Sequence, residues 1–182
     1  MKNKEGLSPL GGFTIVEMLV IAGIFVIVAG MVLVNFKKGE NSTQFLLATE
    51  EVASNIRKTQ TQTLTGSIEQ EIVASGGFGL YFNLGQPDQY LTFRDNGDQL
   101  YQSGNDAVMA STTLPANITI SALSNNPLTI VFKPPKPTIY LNGGLLDNSG
   151  DIYLTSQQIN DKRGHININR ITGRITAELE QL

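Results

Sequence analysis

Residues 13–36 read FTIVEMLVIAGIFVIVAGMVLVNF, and this stretch decides how the chain is built. Met18 to Val34 is an unbroken run of 17 apolar or small residues, and over the full 24 only Thr14, Glu17 and Asn35 are polar. As a helix rising about 1.5 Å per residue, the stretch reaches about 36 Å, more than the roughly 30 Å of a bilayer core. A helix on a small soluble domain shows one apolar stripe, whereas this one is apolar on every side. A cleaved secretory signal is the competing reading. It requires a shorter apolar stretch and a small-residue cleavage site; Val28-Ala29-Gly30 offers the site, but the run continues past it through Val34. Basic residues do not fix the orientation, because Lys2 and Lys4 before the span balance Lys37 and Lys38 after it.

Two features set this span apart from a plain anchor. Gly11-Gly12 stands directly before it, and Glu17 places a carboxylate inside the apolar segment. A charge at that depth costs several kcal/mol, about 2.5–3.5 on insertion scales, unless it is paired. Glu17 is therefore read as functional, against the alternative of a carboxylate tolerated near the interface.

Gly12-Phe13-Thr14-Ile15-Val16-Glu17-Met18-Leu19-Val20 resembles the N-terminal signature of type IV prepilins and type II secretion pseudopilins. The resemblance covers about the first thirty-five residues. It implies cleavage after Gly12 by a membrane prepilin peptidase, and N-methylation of the new terminus, Phe13, by the same enzyme. It also implies that Glu17 pairs with the N-terminal ammonium of a neighbouring subunit during assembly. The implied partners are other pilin or pseudopilin subunits, the peptidase/N-methyltransferase, an inner-membrane platform protein and an assembly ATPase. The implied location is a single pass in the inner membrane with the head outside the cytoplasm, followed by a periplasmic or extracellular filament.

Working outward, Phe45, Ala48, Val52, Ile56, Thr59 and Thr63 recur at spacings of three and four, so the helix is expected to continue as an amphipathic half. Glu50, Glu51, Arg57 and Lys58 fall largely on other faces. Gly39 and Asn41 are expected to bend or interrupt it, and Gly66 to stop it, with Gln60–Thr65 open between ordered helix and a frayed end. Beyond residue 66 the texture is short β-like runs between turn residues: 78–83, 89–93, 99–102, 118–122, 128–132, 138–141, 151–155, 165–169 and 175–179. Asp95-Asn96-Gly97-Asp98 reads as a hairpin turn leading into 99–102, and Pro134, Pro135 and Pro137 mark an edge or a loop. The expected class is α+β: a leader at 1–12, a helix at 13–65 with its membrane segment at about 13–36, and an antiparallel β head at 66–182. The resemblance implies the same pilin-like architecture. Asn55-Ile56-Arg57, Tyr90 to Asp98 and Ile171-Thr172-Gly173-Arg174-Ile175 are, more weakly, similar to the H-type minor pseudopilins (the GspH/FimT-like group).

Composition narrows the chemistry. There are no cysteines and one histidine, which excludes disulfides, thiolate metal sites and poly-histidine centres within one chain. With 16 acidic and 13 basic residues the net charge is -3, unlike a general nucleic-acid coat. Only His165 could complete a Ser-His-Asp arrangement, and the alternation His165-Ile166-Asn167-Ile168 turns it outward as an exposed strand residue. Asp95–Asp98 and Asp147–Asp151 carry oxygen ligands, but neither fits the twelve-residue calcium loop, and both read as Asx-rich turns. No catalytic, cofactor-binding or metal constellation is therefore expected, and the chain is not read as an enzyme. Lys162, Arg163, His165, Arg170 and Arg174 form the one basic concentration. Some H-type minor pilins bind DNA through a C-terminal Gly-Arg motif with a second arginine soon after. Gly173-Arg174 matches its first part, but Thr176 stands in place of the second arginine; Arg170 and Arg174 are the candidate contacts. The leading expectation is a minor pilin or pseudopilin. The alternatives are a DNA-binding minor pilin for transformation, or a major pilin.

Overall fold

The computed structural model describes residues 12–65, 76–136 and 138–182. Most of the expected leader, Gly66 and Pro137 lie outside the described residues. The chain is α+β; among the described residues α1 (Ile15–Thr65) is followed by nine strands: β1 (Phe78–Phe82), β2 (Gln89–Arg94), β3 (Ala107–Thr113), β4 (Ile118–Leu123), β5 (Leu128–Lys133), β6 (Thr138–Leu141), β7 (Ser149–Ser156), β8 (Ile159–Asn169) and β9 (Ile175–Gln181). It divides into two compact units, Met1–Glu40 and Asn41–Leu182.

In the first unit, Ile15–Leu33 is long and apolar enough to cross a membrane, and none of it is buried. Gly39 and Asn41 do not interrupt α1, which runs through both positions. A single glycine costs a helix only about 1 kcal/mol, too little to break one that is extended on either side.

In the second unit the expected stripe is the buried one. Phe45, Ala48, Val52, Ile56, Thr59 and Thr63 are all buried, joined by Thr49 and Ala53. The polar tail stays helical to Thr65, where Thr61, Thr63 and Thr65 each return a hydroxyl hydrogen bond to the carbonyl four residues back. The apolar stripe enters one core with residues from two sheets: Leu80, Phe82 and Tyr90 on one side, Ile152, Leu154, Ile166 and Ile168 on the other.

The strands form two antiparallel sheets rather than one, in the orders β3-β2-β1-β5-β6 and β4-β7-β8-β9. β5 is an interior strand of the first sheet, between β1 and β6, and is buried over Leu128–Phe132, so Pro134 and Pro135 fall in the turn that follows it. β7 alternates along its whole length and β8 from Gly164 to Asn169, with Ile152, Leu154, Ile166 and Ile168 inward.

One strand was misread from the sequence. Gln99–Gln102 is not a strand, and β2 pairs instead with Ala107–Thr113. The turn signal at 95–98 belongs to a longer loop that folds around side-chain carboxylates. Asp95 accepts the backbone N–H groups of Gly97 and Gln99, and Asp106 those of Asn96 and Gln102. Backbone donors taken up by carboxylates are not available to a ladder. Tyr101 seals the loop, its ring 4.5 Å from Tyr81 and 5.1 Å from Phe93.

Candidate functional site

The signature residues sit at the start of α1. Gly12, Phe13 and Thr14 precede the helix, and Thr14 is its N-cap. Thr14 Oγ1 accepts the Glu17 N–H at 3.2 Å, and the Thr14 carbonyl accepts the Met18 N–H at 3.1 Å. Glu17 is thus the third helical residue. Thr14 and Glu17 have the Thr-x-x-Glu spacing of a capping box, a local role that the sequence reading passed over although its signal was legible. The carboxylate also lies where the helix dipole favours negative charge. Phe13, Ile15, Val16 and Glu17 are exposed, so among the described residues nothing covers the signature.

The outer face of the second sheet carries a second constellation. Register places Asp151 opposite Asn167, Tyr153 opposite His165, His165 opposite Glu178 and Arg163 opposite Glu180. Because Ile166 and Ile168 fill the core, these neighbours share the opposite face. His165 points outward as expected, but it is not exposed: its side chain is only 16% accessible. The ring stacks on Tyr153 with centroids 4.6 Å apart, and the Arg163 guanidinium covers the same tyrosine at 4.5 Å. A period-two pattern shows which way a side chain points, not what its neighbours on adjacent strands will cover.

Both nitrogens of His165 are engaged. Nδ1 lies 2.6 Å from Glu180 Oε1, and Nε2 lies 2.8 Å from Asp151 Oδ1. Glu178 Oε1 is 3.9 Å from Nδ1. Arg163 donates to Glu180 Oε2 at 2.7 Å, and Asn167 Nδ2 donates to Asp151 Oδ1 at 2.7 Å. Burial by itself would raise the Asp151 carboxyl, but hydrogen bonds from Asn167 and His165 outweigh it and hold the group below its usual value. Glu180 is held low chiefly by its hydrogen bond from Arg163, with His165 adding to it. With both ring nitrogens facing carboxylates, His165 has no hydroxyl to activate, and the Ser-His-Asp arrangement does not form around it. Asp151, Tyr153, Glu178 and Glu180 were not singled out as partners of His165, since only the strand register brings them together.

The other expected positions separate. Asp95, Asp98 and Asp106 converge in the loop before β3. Asp95 is 2% exposed, and its carboxyl is pushed up to about 6, first by burial and then by Asp98 and Asp106, against the lowering hydrogen bond from Gln99. Asp147 and Asp151 do not form one turn: Asp151 lies on β7, while the Asp147 carbonyl accepts Arg170 Nε at 2.7 Å. Arg170 and Arg174 flank the β8–β9 turn, where Gly173 adopts φ 71°. Arg163 is committed to Glu180, and Lys162 donates to Ser42 Oγ at 3.3 Å. Seven residues of extended chain, about 23 Å, separate Arg163 from Arg170, so the basic concentration in the sequence is not one basic face.

Comparison with known proteins finds no family model, no curated protein and no solved structure that matches the chain.

Proposed function

We propose that the chain is a membrane-anchored filament subunit of the type IV pilin-like class. Within that class it is a minor pilin or pseudopilin of the H-type group. The observation that carries the class is the run Gly12-Phe13-Thr14-Ile15-Val16-Glu17 directly ahead of an apolar helix, with Phe13 outside the helix and Glu17 in its first turn.

In this reading a prepilin peptidase cuts the Gly12–Phe13 bond and methylates Phe13. The subunit then waits in the inner membrane with its β-rich head outside the cytoplasm. A platform protein and an assembly ATPase extract it into a periplasmic or extracellular filament, where the apolar segments of neighbouring subunits pack together. Glu17 answers the N-terminal ammonium of the next subunit, which offsets the cost of a carboxylate in an apolar setting. The exposed apolar surface of Ile15–Leu33 supports this, because among the described residues it has no covering partner. The H-type assignment rests on the weaker head motifs.

Intact-mass and N-terminal analysis of the protein from its native membrane tests the class. A mature chain beginning with methylated Phe13 supports it. A chain retaining Met1 in cells with an active prepilin peptidase overturns it. Low abundance relative to another subunit in purified filaments supports the minor role, and dominance of the filament overturns it.

A further inference from the structure

We propose that His165, Glu178 and Glu180 form a binding site for a divalent cation of the zinc class on the outer face of the β7–β8–β9 sheet. Residue order alone offers no reason to expect metal here, because one histidine excludes a poly-histidine centre. A mixed set of one imidazole and two carboxylates is a different case, and the strand register builds one.

The donors converge from two adjacent strands. His165 on β8 is paired directly with Glu178 on β9, and Glu180 follows two residues later on the same face. Donors around a tetrahedral zinc, with bonds of about 2.0–2.2 Å, lie about 3.3 Å apart. The distances from Nδ1 to Glu180 Oε1 and Glu178 Oε1, 2.6 and 3.9 Å, bracket that spacing, and all three donor atoms lie within 4.8 Å of one another. Glu178, with a side chain 67% exposed, can move inward at little cost. Three protein ligands leave a fourth position for water.

What separates this group from a chance gathering of surface acids is that its two less exposed ligands are each oriented from behind. Asp151 faces Nε2 at 2.8 Å, the position of a carboxylate that orients a metal-ligating imidazole and leaves Nδ1 directed at the glutamates. Asn167 in turn holds the Asp151 oxygen. Arg163 takes Glu180 Oε2 at 2.7 Å, which leaves Oε1 facing His165. Tyr153 fixes the plane of the imidazole by stacking. Three carboxylates gather here against the single guanidinium of Arg163, an excess of negative side chains that a divalent cation offsets. One nitrogen with two oxygens suits zinc and its first-row neighbours better than magnesium or calcium, which prefer all-oxygen shells. Bound there, the ion ties the last strand, β9, to β8.

The test is a zinc titration of the full-length chain in detergent, stripped of metal, against a chromophoric chelator, with an X-ray absorption spectrum of the bound ion. The expected result is one zinc per chain, with one imidazole nitrogen in its shell and no competition from magnesium. His165→Gln abolishes binding or weakens it more than any other change, and Asp151→Asn, a positioning change, weakens it about 10–100-fold. Glu178→Gln alters a mostly exposed side chain and leaves the fold intact, so its loss of affinity stands even if the His165 variant misfolds. The proposal is overturned if no zinc binds at equimolar protein. It is equally overturned if Glu178→Gln binds as tightly as wild type, or if the spectrum lacks an imidazole; the cluster is then a proton-held ion network.

Discussion

Thr14 Oγ1 accepts the backbone N–H of Glu17 at 3.2 Å, which makes the signature glutamate the third residue of α1. Two roles then compete for its carboxylate: completing the helix start within the chain, or pairing with an ammonium from another chain. They separate chemically. Glutamine serves a capping box about as well as glutamate does, but carries no charge. Glu17→Gln should therefore keep the helix and the membrane level of the subunit while losing filament incorporation as fully as Glu17→Ala. Normal filaments from Glu17→Gln would mean that the carboxylate acts on its own helix alone.

Gly164 leaves room for α1 against β8: an added Cβ would lie 2.5 Å from Thr49 Oγ1 and 3.1 Å from Thr49 Cγ2. Gly164→Ala should destabilise the head by about 1–3 kcal/mol, the usual cost of overpacking. Thr49→Ala removes the obstructing hydroxyl and methyl together. The double variant should thus recover much of the loss, giving a coupling of about 1 kcal/mol or more in denaturant melts, and simple additivity would place the strain elsewhere.

Asn55-Ile56-Arg57 fastens α1 to both sheets. Asn55 Nδ2 donates to the Tyr90 hydroxyl on β2 at 2.7 Å, Ile56 is fully buried, and Arg57 Nη2 donates to the Ile175 carbonyl on β9 at 3.1 Å. Ile56→Ala should cost about 2–5 kcal/mol, and Tyr90→Phe, which strands the Asn55 amide, about 1 kcal/mol. Arg57→Met keeps the aliphatic stem and loses only the hydrogen bond, so its cost should fall below that of Arg57→Ala. Denaturant unfolding of the full chain in detergent ranks all four.

The stripe from Phe45 to Thr63 and the alternation in β7 and β8 were legible because each is a local period that reports one buried face. The split into two sheets was not, because which strand neighbours which depends on contacts distant in sequence. For the same reason the sequence showed the direction of His165 but not its lid of Tyr153 and Glu180. The loop before β3 was misread because Asp-Asn-Gly-Asp signals a turn without saying what its carboxylates bind. Ala107–Thr113 was overlooked because it is exposed along nearly its whole length, so no apolar alternation marks it.

That loop also makes the head sensitive to pH. Asp95 has its carboxyl raised from 3.8 to about 6, mainly by burial. An acid whose pKa is higher folded than unfolded binds more protons in the folded state between the two values. Stability from this group is therefore full below about pH 4, falls as pH rises, and levels off above about pH 6. The change is at most about 3 kcal/mol. Asp151 and Glu180, held low, act in the opposite sense: their contribution is present above the ordinary carboxylate values and is lost as the solution becomes more acid. Subtracting the stability curve of Asp95→Asn from that of wild type cancels them. Asparagine keeps an oxygen for the Gly97 and Gln99 N–H groups and removes the buried charge. The difference should slope between about pH 4 and 6 and favour the variant above that range, where the wild-type carboxylate is ionised. A flat difference curve would mean that Asp95 ionises as an ordinary solvent-exposed carboxylate, and that the loop opens to water.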